Sequence, residues 1–254
     1  MNNIEKTLEY HELLMTRKLD NISLYELQDG FSFRFWDNDD CIKDWVNIHI
    51  ESGEFNSIEG AYKIFHDFYD KFYDEIQSRC FFIENSKGEK VATATISPSN
   101  EFGYECVIDW FAVSTKAQGL RLSKPLLTKA LLVAKNLGYD KILLHTQTHA
   151  WLAAKIYLDF GFEPFNTGDD KGWEILKTIT NHPKLKSYKK LKNKEMYDSL
   201  ILQIKKQLDS LHKNYNYSVW YKNNINEVFV REQNNYFKYK FVIDNNVVKL
   251  LSVK

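Results

Sequence analysis

Three runs that favour extended backbone, CFFIEN (80–85), VATATIS (91–97) and YECVIDWFAV (104–113), follow one another with only short polar breaks. Each is rich in β-branched or aromatic side chains, and Ser86-Lys87-Gly88-Glu89 between the first two reads as a hairpin turn. With Asn100-Glu101-Phe102-Gly103 before the third, the set reads as an antiparallel meander. The period then changes. Leu126, Leu127, Ala130, Leu131, Ala134 and Leu137 recur at helical spacing from Lys124 onward, and Gly138 is placed to end that helix. KILLHTQ (141–147) is a further strand, Trp151 to Phe160 a further helix closed by Gly161, and Phe162 opens another extended segment. A meander followed by alternating helices and strands gives an α+β fold with a mixed, mostly antiparallel sheet flanked by helices.

Upstream, residues 4–19 read as a short amphipathic helix inside a lead-in of residues 1–29, and GFSFRFW reads as a strand with Phe31, Phe33 and Phe35 on one face. Residues 39–50 carry Ile42, Val46 and Ile50 at helical spacing, and residues 57–78 open with Asn56 as N-cap and Glu59 three positions later. The stripe Tyr62, Phe65, Phe68, Tyr69, Phe72 and Tyr73 on that helix reads as core rather than as a recognition surface. Downstream of Asn181-His182-Pro183 lies a lysine-dense connector, KLKSYKKLKNK, then a helix on Leu200, Ile201, Ile204, Leu208 and Leu211. Four short strands follow, broken at Asn223-Asn224, Asn234-Asn235 and Asn245-Asn246, since Asn tolerates positive φ. Residues 1–181 are therefore expected to form one domain, and residues 182–254 a small C-terminal domain of a helix and β-hairpins.

Charge divides the chain in the same place. The 34 basic and 34 acidic residues cancel overall, but residues 182–254 hold fifteen basic and six acidic side chains, which makes them +9 and residues 1–181 −9. Lysines 184, 186, 189, 190, 192 and 194 can engage nucleic acid, or can dock the tail on the acidic remainder. Near-absence of arginine and of any nucleic-acid motif favours docking. Cys41, Cys80 and Cys106 are scattered and lack CxxC spacing, which argues for reduced thiols and against a zinc site. The opening MNNIEKTLEYHELL is too polar for a secretory segment, and no run approaches the roughly 18 apolar residues of a spanning helix. A cytoplasmic protein without a membrane span is expected; the oligomeric state is left open.

The stretch with chemical content is AQGLRLSKPLL (117–127), a connection from the strand ending at Val113 to the helix beginning near Ser123. The first N–H groups of a helix have no intrahelical partner and attract anions, Gly119 lets the backbone approach closely, and Arg121 and Lys124 add charge. Read alone, the same loop is also an ordinary connection with surface cations, because it carries neither a Walker nor a Rossmann fingerprint. His145 and His149 have H-x-x-x-H spacing, but at a strand end and a loop, where that spacing does not bring two rings together on a helix face. No metal is expected. Cys106 has no histidine beside it in sequence and is not expected to act as a nucleophile.

The run VIDWFAVSTKAQGLRLSKPLL, a helix, KILLHTQT and AAKIYLDFGFEP together resemble the GNAT superfamily of acyl-CoA-dependent N-acetyltransferases across roughly residues 30–178. In that family a Gln/Arg-x-x-Gly-x-Gly/Ala loop holds the pyrophosphate of coenzyme A. Here Gln118 stands at the leading position beside Gly119, Arg121 where the first motif glycine belongs, and Ser123 at the second small position. The resemblance implies that backbone groups of Gln118, Gly119, Leu120, Arg121, Leu122 and Ser123 bind the cofactor, with Phe111, Ala112 and Val113 pairing with its pantetheine arm like an added strand. Tyr157-Leu158-Asp159-Phe160-Gly161-Phe162 matches the family's Tyr-x-x-x-Gly-Phe signature, which implies Tyr157 as general acid. An Asn seven positions before the tyrosine falls on Ala150, with His149 or Trp151 as substitutes, and the family's glutamate on Val107. Period two puts Glu105, Val107, Asp109 and Phe111 on one face, so Glu105 or Asp109 is the expected base. The implied reaction is acetyl transfer from acetyl-CoA to a primary amine, of a small molecule or of a peptide or protein, by direct attack in a ternary complex. The alternative is a non-catalytic acyl-CoA-binding protein on the same fold. The acceptor pocket falls on residues 36–80.

Overall fold

The computed structural model describes residues 7–99, 104–165, 170–186, 194–222, 225–233, 235–245 and 247–252. Strands β1 (Glu12–Lys18) and β2 (Phe31–Phe35) precede helices α1 (Asp40–Ser52) and α2 (Ile58–Tyr69), and a short helix α3 (Ile76–Arg79) leads into the meander β3 (Cys80–Asn85), β4 (Lys90–Pro98) and β5 (Cys106–Val113). Helix α4 (Ser123–Asn136), strand β6 (Lys141–Gln147), helix α5 (Trp151–Asp159), strand β7 (Glu163–Phe165) and helices α6 (Asp170–Thr180) and α7 (Pro183–Lys186) follow. The sheet is mixed and seven-stranded, in the order β2-β3-β4-β5-β6-β1-β7. The expected turn at 100–103 lies outside the described residues.

Three expectations are corrected. Residues 12–18 form a strand, not part of a helix, with Leu13, Leu14 and Met15 all buried; a strand covered on both faces shows no alternation and is easily mistaken for a helical stripe. The N-cap of α2 is Ser57, whose hydroxyl accepts the Gly60 N–H at 3.1 Å, rather than Asn56. That helix also stops at Tyr69, because Phe72 at φ −142° breaks it into a 3₁₀ turn over Asp70–Glu75. Helix α6 was not anticipated.

Contacts gather the chain into two units, Thr16–Ser99 with Glu105–His145, and Met1–Met15 with Asn100–Tyr104 and Thr146–Lys254. In the first, alternate strand residues face opposite ways. Cys80, Phe82 and Ala112 join Trp45, Val46, Phe65 and Tyr69 of α1 and α2 in one apolar cluster. On the other face Phe33 and Phe35 pack edgewise or tilted against Phe81, under the Lys129 ammonium of α4. Most of the aromatic stripe on α2 is core, as its spacing implies.

In the second unit α8 (Lys194–Leu211) covers a separate antiparallel sheet ordered β11-β10-β9-β8, from β8 (Tyr215–Lys222), β9 (Ile225–Glu232), β10 (Asn235–Asp244) and β11 (Val247–Ser252). Leu200, Ile204 and Leu208 meet Val219, Val228, Val230, Phe241 and Val248. The outer strand β11 is not left open: Gln203 Oε1 accepts the Val248 N–H, and the Gln207 amide takes both the Leu250 N–H and the Val248 carbonyl. Asn245 takes positive φ as expected, but at the preceding turn it is Gln233 that does so; Asn223, Asn224, Asn234 and Asn246 lie outside the described residues.

Helix α4 ends where its glycine predicts. Gly138 sits at φ +92°, its N–H on the Lys135 carbonyl and the Tyr139 N–H on the Ala134 carbonyl. A Cβ at Gly138 would have nothing within 4 Å, so Gly138→Ala is expected to cost only the left-handed backbone, about 1–2 kcal/mol. Urea unfolding checks this through a lower midpoint at unchanged slope.

Candidate functional site

Strands β4 and β5 do not pair residue for residue. Thr95 lies opposite Asp109 and Thr93 opposite Ala112, so β5 spends one extra residue where β4 spends none. Trp110 absorbs the excess at φ +50°. The alternation expected for this strand therefore fails at the bulge: Phe111 does not share a face with Asp109. Instead Asp109 and Ala112 stand across from Thr95 and Thr93, and the Trp110 ring joins the cluster of α1 and α2. Tyr69 of α2 bonds Thr95 Oγ1 at 2.8 Å, and burial holds its hydroxyl well above its ordinary pKa, with the Asp109 charge a lesser contributor. Glu105 is exposed and precedes β5; its carbonyl accepts the Ser99 N–H. Of the two expected bases, the fold sets only Asp109 at the bulge.

The same region opens the sheet. Strand β5 pairs with parallel β6 at Val107 with Leu143 and Ile108 with Leu144, and no further. The parallel register of β5 with β6 thus ends just before Asp109 and the bulge.

Past Val113 the chain makes a 3₁₀ turn, Thr115–Ala117, and enters α4 through Gln118 to Leu122. The Gln118 N–H is bound by the Ser114 carbonyl and the Leu120 N–H by the Ala117 carbonyl. Among the described residues, the amides of Gly119, Arg121, Leu122, Ser123 and Lys124 donate no hydrogen bond. Leu122 occupies the N-cap without a side-chain bond, no acidic residue lies in the first turn, and Pro125 has no N–H to satisfy. Gly119 stands at φ +84° and Arg121 at φ +56°. Arg121 thus takes the left-handed conformation that a glycine at its position would supply, and its side chain is exposed. Left-handed residues next to right-handed ones turn successive N–H groups to one side, a concavity that fits a phosphate oxygen. The buried Ser114 hydroxyl, at the head of the same turn, also makes no hydrogen bond among the described residues. This donor set fits the pyrophosphate of a coenzyme A. One detail differs: the Gln118 side chain reaches the Val113 carbonyl at 3.4 Å, so that carbonyl already has a partner.

Tyr157 belongs to the second unit, in α5. The helix ends with the Gly161 N–H on the Leu158 carbonyl and the Phe162 N–H on the Tyr157 carbonyl, Gly161 at φ +91°, and the buried Tyr157 ring edge-on to Phe162 at 5.8 Å. Of the two side chains expected to stand in for the missing Asn, His149 is engaged by the Leu8 carbonyl at 2.7 Å, while the Trp151 indole N–H has no partner among the described residues. Burial pushes the Cys80 and Cys106 thiols up to about 12, far from thiolate chemistry. Among the described residues no group of three or more His, Cys, Asp or Glu side chains is placed to hold a metal ion, and no helix is long and apolar enough to cross a membrane.

Residues 42–162 match the model of the acetyltransferase (GNAT) family. Residues 42–162 form a GNAT-like domain. Its fold is similar to that of a GCN5-related N-acetyltransferase from Sphaerobacter thermophilus, at a TM-score of 0.50 and 14% identity over 63% of this chain and 51% of that one. A GNAT-family acetyltransferase from Colwellia psychrerythraea (TM-score 0.48, 12% identity, 62% and 54% covered) and a putative acetyltransferase from Pyrococcus horikoshii (0.35, 21%, 45% and 37%) also match. The chain spans between 37% and 54% of these solved chains' lengths. No protein of curated function matches it.

Sequence reasoning missed His49, on α1 of the GNAT-like domain. It is 1% exposed, tilted against Trp45 at 4.2 Å and edged by Phe55 and Trp110, and burial lowers its pKa to about 3. A lone histidine on a helix carries no sequence signal of this kind. Because an exposed ring takes its proton near 6.5, lowering the pH below that value adds a proton to the unfolded chain that the folded one refuses until about 3. His49 should therefore make stability fall toward acid across that window, by at most about 1.4 kcal/mol per pH unit. Denaturation series from pH 7 to 4 on the native chain and on His49→Phe check this through the difference in slope. Arg121→Gly is expected to leave the melting temperature unchanged or raised, and Arg121→Ile, β-branched at positive φ, to lower stability by about 1–2 kcal/mol.

Proposed function

We propose that this protein transfers the acetyl group of acetyl-CoA to a primary amine by direct attack in a ternary complex. The observation that carries the reading is the set of undonated amides at Gly119 and from Arg121 to Lys124, with Gly119 and Arg121 both left-handed, in the loop that follows β5.

Each residue's part follows from its chemistry. The amides of Gly119 and of Arg121 to Ser123 receive the pyrophosphate oxygens, with Gln118 and Leu120 shaping the turn. Main-chain groups of Phe111, Ala112 and Val113, in β5 beyond its register with β6, pair with the pantetheine arm as an added strand. Acetyl-CoA supplies an activated acyl carbonyl. An amine attacks only when neutral, so a proton must leave its nitrogen; the Asp109 carboxylate at the bulge accepts it, while the exposed Glu105 has no such place. A C–N bond forms, the C–S bond breaks, and the departing sulfur takes a proton from Tyr157. That last role rests on the family signature alone, not on position.

Tyr157→Phe is expected to lower turnover at least tenfold, in line with the roughly 10²–10⁴-fold typical of a positioned acid, while coenzyme A still raises the melting temperature as in the native chain. Thiol release from acetyl-CoA across an amine panel, beside thermal shift, checks both. Unchanged turnover removes the role of Tyr157. Stabilisation by coenzyme A without release on any amine points instead to an acyl-CoA-binding protein that does no chemistry.

A further inference from the structure

Four buried nitrogens meet at the bulge without a partner. Neither ring nitrogen of His49 makes a hydrogen bond among the described residues, nor do the indole N–H groups of Trp45 and Trp110. The two rings are 5.5 Å apart, and the walls around them are aromatic: Trp45 and Phe55 touch both, and Phe68 stands edge-on to Trp110 at 5.5 Å. Buried polar groups left unmet are costly, so a pair of them in one place points to a ligand or a function. Trp110 is also the residue that the bulge turns out of the strand, immediately after Asp109.

We infer that His49 and Trp110 form the recognition end of the acceptor subsite, and that they select an arylalkyl primary amine whose ring bears a neutral oxygen, a phenolic hydroxyl being the simplest. This rests on the acetyltransferase reading above. The inventory of donors and acceptors sets the class. An indole N–H only donates, so its partner must be an acceptor; an ammonium group has three donors and no acceptor and leaves it unmet. A neutral imidazole donates from one nitrogen and accepts at the other, and so matches a hydroxyl, which does both. A carboxylate finds no positive charge on either ring, and its desolvation goes uncompensated. The aromatic walls then take the ring that carries the hydroxyl.

The test compares tyramine with phenethylamine, 1,4-diaminobutane and 4-(2-aminoethyl)benzoate as acceptors, on the native chain, His49→Phe and His49→Gln, beside calorimetric binding of tyramine to the coenzyme A-loaded native protein. Tyramine is expected to exceed phenethylamine at least tenfold in kcat/KM, because a site built to bond an oxygen is left with unpaired buried polar groups by the analogue that lacks it. His49→Phe should abolish that preference and His49→Gln restore part of it. Removing the orphan nitrogens should also raise the melting temperature of His49→Phe by about 2–4 °C, a sign that the histidine is kept at the expense of stability. Equal use of tyramine and phenethylamine, a preference that survives in His49→Phe, or turnover confined to the diamine or the benzoate overturns the inference and leaves the acetyltransferase reading intact. If no amine is turned over, calorimetry decides: tyramine binding lost in His49→Phe upholds the subsite, and no binding to the native protein overturns it. Absence of both coenzyme A stabilisation and thiol release defeats the acetyltransferase reading separately.

Discussion

Between Thr93 and Thr95, β4 advances two residues while β5 advances three, and the surplus residue must leave the ladder. Trp110 does so at positive φ, which for a bulky L-residue costs about 1–2 kcal/mol and is held only because its ring is packed among Trp45, Phe55 and Phe68. The local consequences all follow from that one residue. The bulge sharpens the bend of β5, and its register with β6 stops after Ile108. Asp109 is carried to the face of α1 and α2, and the Trp110 indole beside it. A regular strand would pair to its end with β6 and would alternate Asp109 with Trp110 across the sheet.

What was legible in the sequence was whatever a short window decides. Gly138 and Gly161 stop helices where they stand, because the left-handed C′ position is a local demand that glycine meets. The meander from 80 to 113 was legible because its runs and breaks are contiguous. What failed depended on partners far away in sequence. The bulge exists only relative to β4, so the alternation of YECVIDWFAV, read by itself, set Phe111 beside Asp109 on the wrong face. Residues 12–18 read as helix because Leu13, Leu14 and Met15 are buried together, a fact about the neighbours of the strand and not about its own period. His49 gives no signal until its surroundings are assembled.

Arg121 shows how a motif can lose its residue and keep its geometry. What such a loop needs at this position is a backbone at positive φ, and φ +56° supplies it whatever the side chain. Glycine reaches that conformation without cost, and arginine at a modest one, so the substitution is a matter of stability before it is one of binding. The undonated amides on either side belong to the main chain and are indifferent to the change. Reading the sequence for glycines alone undercounts loops of this kind.

The Tyr-x-x-x-Gly-Phe signature has a comparable physical core. Gly161 is the left-handed stop of α5, the Phe162 N–H reaches back to the Tyr157 carbonyl, and the two rings make the apolar contact that accompanies such a stop. The spacing of the three residues is thus what a helix terminus of this type requires by itself. The helix terminus thus accounts for the glycine, for the apolar Phe162 and for a large residue four before the glycine. In the proposed reaction the chemistry falls to the oxygen of Tyr157, and the rest of the motif is the means by which the helix holds the ring in place.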